Sequence, residues 1–372
     1  MTRLDTWSDP SRIARLQQRL MIEAERLDAP VTFMEVCGTH THAISAAGLR
    51  NRLPNNVRLI SGPGCPVCVT PVEYLDHALA LAELPDVTIA TFGDLVRVPA
   101  SRRRTLGLAS ANGASVHVVY SPRDALDYAR VNPDRRVVFL AVGFETTTPA
   151  IAATVLEAER DGISNFLVLA GGKRIEPALR ALLADEVVHV DGFVLPGHVS
   201  VVLGSHAYGF LADECRVHAV VTGFSPVELL LGLLALVRQC LRGESVIENV
   251  YSRAVTACGN LEAQRLMDRV FEPADTSWRG LGWIDASGVA LRAAFAHRDA
   301  SRISVEVPIP LEPKGCCCGE VLRGAIVPTE CPLFGRGCDP DQPIGACMVS
   351  SEGTCAAWYR HERFAREASH AG

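Results

Sequence analysis

Long hydrophobic runs, blocks of one charge and interdomain linkers are all missing from this sequence, and each absence narrows what the chain can do. The most apolar stretch, Leu229 to Val237, falls well short of the roughly 20 residues that a membrane helix needs. The opening MTRLDTWSDPSRIARLQQRL holds no uninterrupted apolar segment of the secretory type. A cytoplasmic protein without membrane attachment is the expectation. The longest basic run is Arg102 to Arg104 and the formal net charge is -6, so nucleic acid is not expected as a partner. We read the triplet as a solvated loop. No Gly/Ser-rich segment marks a domain boundary, and no repeat goes beyond an alternation of strand and helix.

What is present is a globular chain rich in thiols. Hydrophobic residues make up 48% and charged residues 21% of the 372 positions, the balance of a folded protein. That length exceeds one ordinary core and predicts two domains with an appendage. There are 13 cysteines. In a reducing compartment these serve as metal ligands or redox thiols rather than structural disulfides. The odd count leaves at least one outside any set of pairs.

A helix opens at Pro10, capped by Ser8 or Asp9, and VTFMEV at 31–36 reads as a buried strand. The same grammar recurs in NVRLIS, VTIATFG, SVHVVY, RVVFLAVG, NFLVLAGG and GFVLPG. Strands apolar on both faces, alternating with helices, imply parallel sheets covered by helices. The expected fold class is α/β, with two parallel-sheet domains facing a cleft and a C-terminal cysteine-rich domain. The boundaries are set at 1–134, 135–240 and 241–372, the last holding a helical crossover and the cysteine-rich end.

In open α/β sheets ligands bind beyond the carboxyl ends of strands, and the unusual motifs sit there. Cys37 follows VTFMEV, Cys65 and Cys68 follow VRLIS, Glu145 follows VVFLAVG, and His198 follows FVLPG. One shared cleft is expected. The C-x2-C of Cys65 and Cys68 at a loop-to-helix junction fits a reversible dithiol with at least one depressed thiol pKa. Half of a zinc site is the competing reading. Beside Cys37, Gly38 permits close backbone approach, while His40 and His42 can stabilise a thiolate or hydrogen-bond a ligand. We favour Cys37 as a metal-binding or reactive thiol and read His42 as a supporting or surface residue. GFETTTP lacks the Lys of a nucleotide-binding loop; its threonines cap a helix, and Glu145 is left as a proton acceptor or docking group facing the cleft. His198 is either part of a functional turn or structural.

The segment Gly315 to Cys355 holds seven of the cysteines among Gly, Pro and small polar residues. Cys316, Cys331, Cys338 and Cys355 form a C-x14-C-x6-C-x16-C set, which suits a [4Fe-4S] cluster and also a tetrahedral zinc. Cys318 is an alternative first ligand, and Cys317 and Cys347 are read as spares. Cys215, Cys240 and Cys258 are read as structural.

The strings FMEVCGTHTH, GPGCPVCVTP, GFETTTP, LPGHVSVVLG, CPLFGRGC and CMVSSEGTCAAWY resemble those of the HypD family of hydrogenase maturation factors over nearly the full length. The resemblance implies two α/β domains around a cleft with an iron-sulfur domain. It implies a scaffold for the Fe(CN)2CO unit of [NiFe] hydrogenases, working with a HypC-type chaperone and a HypE-type cyanide donor rather than as a conventional turnover enzyme. Cys37 then matches the iron-holding cysteine, Cys65 and Cys68 the redox-active pair, and the terminal cysteines the cluster ligands. The triple Cys316-Cys317-Cys318 departs from the family's usual C-x-C and leaves the first ligand open. The rival expectations are an iron-sulfur-dependent thiol-disulfide oxidoreductase and a zinc-stabilised binding module.

Overall fold

A computed structural model describes residues 7–363. Its centre is two parallel sheets. The strands are β1 Val31–Glu35, β2 Val57–Ser61, β3 Val87–Thr91, β4 Val116–Val118, β5 Arg136–Gly143, β6 Phe166–Gly172, β7 Gly192–Leu195, β8 His218–Val221, β9 Ile247–Asn249, β10 Phe271–Trp278 and β11 Gly282–Leu291. One sheet runs β2-β1-β7-β8-β9 and the other β4-β3-β5-β6, with every pairing parallel. β3 and β7 are buried at every position, as expected of strands covered on both faces. The α/β expectation is met.

The assumed boundary at 134/135 does not separate the sheets. β3 and β4 precede it and β5 and β6 follow it, all in one sheet. The second sheet is an insertion between β2 and β7 of the first. Strand order along the chain hides this, because β1 pairs with β7 across more than a hundred residues. The long helix Pro226–Arg242 opens on a capping box between Ser225 and Glu228. It buries Leu229, Leu233 and Leu236 with Phe33, Val194 and Val220 of the first sheet, so it returns to the first unit as anticipated.

Two features follow. The helix Leu261–Val270 leads into the antiparallel hairpin β10–β11, which the sequence reading missed. Val270, Phe271 and Leu291 close the core of the second sheet against Phe139 and Val155. The cysteine-rich region then enters the space between the sheets. Cys318, Leu322 and Cys347 share one core with Met34 and Ile60 of the first sheet and with Phe144 and Ile175 beyond the second. Burying apolar side chains from all three parts in one cluster fixes the cleft's geometry. Among the described residues no helix is long and apolar enough to cross a membrane.

Candidate functional site

β1 ends on Glu35, and Cys37 caps the helix Gly38–Ala46 from an extended conformation. Directly above it lies the loop after β2. Gly38 N–H donates to Gly64 O at 3.0 Å, and a Cβ on Gly64 would stand 2.2 Å from Cys37 N and 2.4 Å from its Cα. Only glycine allows this approach. The Cys37 and C-x2-C loops are thereby locked together.

Cys37 is buried, and that burial pushes its thiol up to about 12, with the carboxylates of Glu352 and Glu35 adding to the rise and helix N–H groups opposing it. At neutral pH the thiol keeps its proton, and a metal must displace it. His40 does not supply the charge that would stabilise a thiolate. Burial lowers it to about 4, its Nε2 meets Gly223 O at 3.1 Å, and its Nδ1 has no partner. It is a neutral imidazole, its ring tilted 37° to that of Phe224 at 4.8 Å, and Phe224 also meets His198 at 4.2 Å and Tyr251 at 5.9 Å. His198 is exposed at the mouth, with partial burial lowering its pKa. His42 stands 5.2 Å from the His361 ring.

Several residues here were not singled out from the sequence. Glu35 is fully buried and raised to about 7 by that burial, against the pull of Arg50 and of hydrogen bonds from Ser61 and Thr41. Thr41 Oγ1 donates to it at 2.6 Å. Arg50 bonds Glu362 at 2.7 Å, Ser61 at 2.8 Å and Glu35 at 3.4 Å, tying the C-terminal helix Thr354–His361 to the Cys37 strand. Glu352, in SSEGTC, accepts from Thr39 Oγ1 at 2.6 Å. An acidic residue inside the apolar VTFMEV was a visible clue to Glu35. Nothing local marked Arg50 or Glu352.

Cys65 caps the short helix Pro66–Val69 and accepts from Cys68 N–H at 3.3 Å. The two sulfurs stand 2.6 Å apart. Cys68 does not have the depressed pKa expected of such a pair, because burial drives it well up. Its thiol also reaches Ala346 O at 3.9 Å, which sets it beside Cys347 in one buried cluster, and Cys347 lies 2.7 Å from Cys318. Cys347, read as a spare, is thus the residue that joins the pair to the cysteine-rich region.

All seven cysteines of that region line one cavity, together with Val321, Leu333, Phe334 and Met348. A Cβ on Gly345 would stand 2.6 Å from Cys316 Sγ, so the wall is cut back to give this sulfur room. With Cys318 and Cys347 in contact with each other, Cys316, Cys317, Cys331, Cys338 and Cys355 remain as candidate donors. Among the described residues no three Cys, His, Asp or Glu gather closely enough to hold a single ion. The donor set fits a larger, thiolate-ligated group enclosed by apolar side chains.

Glu145 stands apart from these thiols. Its Oε1 accepts from Ile175 N–H at 2.9 Å, Oε2 has no partner, and burial raises it to about 7. It faces a pocket shared with Lys173 and Tyr208.

Comparison with known proteins gives one consistent match. Residues 11–362 fit the HypD family model, described as "Hydrogenase formation hypA family". The chain is 47% identical to hydrogenase maturation factor HypD of Azotobacter vinelandii over 370 residues, covering 98% of this chain and 97% of that one. It is 44% identical to HypD of Rhodobacter capsulatus, covering 94% of each, and 43% identical to HypD of Escherichia coli K12, covering 98% and 99%.

Proposed function

Because the chain belongs to the HypD family of hydrogenase maturation factors, we propose that it is the scaffold on which the iron of the Fe(CN)2CO unit receives its ligands. The iron is cargo. Cys37 takes it as a thiolate: the iron displaces the proton of the buried thiol, and the Glu35 carboxylate, which accepts from Cys37 N–H at 3.3 Å, is the base beside it that receives that proton. A HypC-type chaperone contributes a second thiolate and a HypE-type donor brings cyanide, and both approach the mouth marked by His198.

Cys316, Cys331, Cys338 and Cys355 would hold a [4Fe-4S] cluster, which when bound would supply electrons, one at a time, to a disulfide beside it. The remaining cysteines exchange disulfides. Cys347, packed in the same buried cluster as Cys68, attacks that sulfur of a Cys65–Cys68 disulfide. The Cys65 sulfur departs, onto a position where Cys68 N–H is donated to it. Cys318, 2.7 Å from Cys347, then attacks Cys347 and releases Cys68. The net result is a Cys318–Cys347 disulfide and a Cys65/Cys68 dithiol, with two electrons and two protons passed toward the iron site.

The observation that carries this reading is the packing of two close sulfur pairs, Cys65/Cys68 and Cys318/Cys347, into one buried cluster between the loop locked onto Cys37 and the cysteine-lined cavity. The test is anaerobic purification with the small chaperone, followed by metal analysis, infrared spectroscopy and thiol mapping. Wild type should be coloured, with iron and cyanide bands. Cys37→Ala should lose the bands and keep the colour, and Cys347→Ser should leave the Cys65–Cys68 disulfide unreduced. Full maturation by Cys37→Ala would instead favour the oxidoreductase reading. A colourless zinc protein would favour the binding module.

A further inference from the structure

No cysteine of the proposed relay lines the Glu145 pocket. It has a volume of about 220 Å³ and opens between the start of the helix Ile175–Leu183, the helix Leu261–Val270 and the hairpin β10–β11. At its inner end sits a carboxylate with 7% exposure, one oxygen held by Ile175 N–H and the other bare. A buried acceptor without a partner is costly unless something donates to it.

The rest of the wall shows what that donor must be. Of the other carboxylates on the wall, Glu176 is paired with Arg180 at 3.2 Å and Glu272 with Arg292 at 3.5 Å, which leaves Asp268 beside the two cations Lys173 and Arg174. Both cations are engaged elsewhere. Lys173 Nζ donates to Thr276 Oγ1 at 2.9 Å and Ser277 O at 2.8 Å, and Arg174 Nη1 donates to Ala286 O at 2.7 Å. The amide nitrogen of Gln264 is spent on the carbonyls of Val202 and Cys258, both at 2.8 Å. The pocket is left short of free donors, with the bare Glu145 oxygen unanswered and Leu203, Met267 and Phe271 as apolar sides.

We propose that this pocket binds a guanidinium or alkylammonium group, with the bare oxygen of Glu145 as its principal partner. Such a cation supplies the missing donor and the missing charge together, and its methylene stem lies along the apolar sides. The cation comes either as a free small molecule or as an arginine or lysine side chain of a docking partner.

Glu145 must be ionised to hold it. Burial raises Glu145 to about 7, with Arg174 opposing and Glu176 reinforcing the rise, while Lys173, Tyr208, Asp268 and Glu272 face it from the other walls. Binding therefore strengthens as pH rises through 7.

Calorimetry on the full chain tests this with methylguanidinium, with urea as its uncharged isostere, and with acetyl-Gly-Arg-Gly-amide. Methylguanidinium should bind about tenfold more tightly at pH 8 than at pH 6. Glu145→Gln should weaken it by about tenfold or more, and urea should not compete. Tighter binding of the peptide identifies a partner's side chain as the source, and binding of methylguanidinium alone identifies a free cation. Equal binding of urea, a flat pH profile, or undiminished binding by Glu145→Gln overturns the proposal. If Glu145→Gln does not fold, the urea and pH comparisons on wild type still decide it.

Discussion

Gly64→Ala is the sharpest single test of the locked loops. The added Cβ would fall 2.2 Å from Cys37 N, 2.4 Å from its Cα and 2.5 Å from Val36 C. All three are backbone atoms, so no side chain can swing aside. Ordinary contact begins near 3.4 Å, so the loops must part by about 1 Å, which breaks the 3.0 Å bond from Gly38 N–H to Gly64 O. Overpacking costs about 1–3 kcal/mol and the lost hydrogen bond about 1 kcal/mol more. At about 2 °C per kcal/mol for a chain of this size, the melting temperature should fall by roughly 5 °C. The functional loss should be far larger, because the displacement separates Cys37 from the Cys65/Cys68 pair. Scanning calorimetry and iron content of the chaperone complex are the readouts. Gly93→Ala is the control, since its Cβ meets only Val118 Cγ1 at 3.7 Å, and it should stay within about 0.5 kcal/mol of wild type. If Gly64→Ala melts and loads iron like wild type, the loops are not locked as described.

Arg50→Ala leaves Glu35 and Glu362 buried without their shared cation and should cost about 3 kcal/mol in urea unfolding; a loss under 1 kcal/mol would mean that the network is incidental. Glu145, ordinarily near 4.5 and raised to about 7 by burial, binds a proton more tightly folded than unfolded. Stability should therefore fall as pH rises from about 4.5 through 7, by up to about 3 kcal/mol from this group. Glu145→Gln should remove that part of the slope, and denaturant midpoints at pH 5 and pH 8 decide it. Phe224→Ala removes the ring between His40 and His198, so the His198 pKa should climb back toward 6.5 in an NMR titration; an unmoved titration would show that Phe224 does not set it.

Local chemistry was legible in the sequence, and long-range pairing was not. Every thiol or polar residue singled out by motif lies at a strand end or in the cysteine-rich segment, because strand patterning and turn residues are local signals. The partition into sheets was misread because nothing in VTFMEV says that its neighbour is GFVLPG, more than 150 residues on. The hairpin was missed because FEPADTSW is largely polar and its buried positions, Phe271 and Trp278, stand at its two ends. Cys347 was set aside because spacing treats cysteines as a count. Its role rests on packing beside Cys68, and that placement depends on the whole fold. His40 was read as able to stabilise a thiolate or hydrogen-bond a ligand, but a position with 0% exposure does not sustain the charge that the first of these needs.

The insertion of one sheet inside the other also bears on how the chain is made. β1 and β2 leave the ribosome early, but their sheet waits for β7, and Cys68 waits for Cys347, roughly 280 residues behind it. At about 10 residues per second that interval is close to half a minute. For that time the thiols at 37, 65 and 68 lie on an unfinished surface, open to stray metal and oxidant, although the finished protein buries all three. Nascent copies are thus the vulnerable ones, and oxidative stress should deplete newly synthesised protein long before it touches the mature pool.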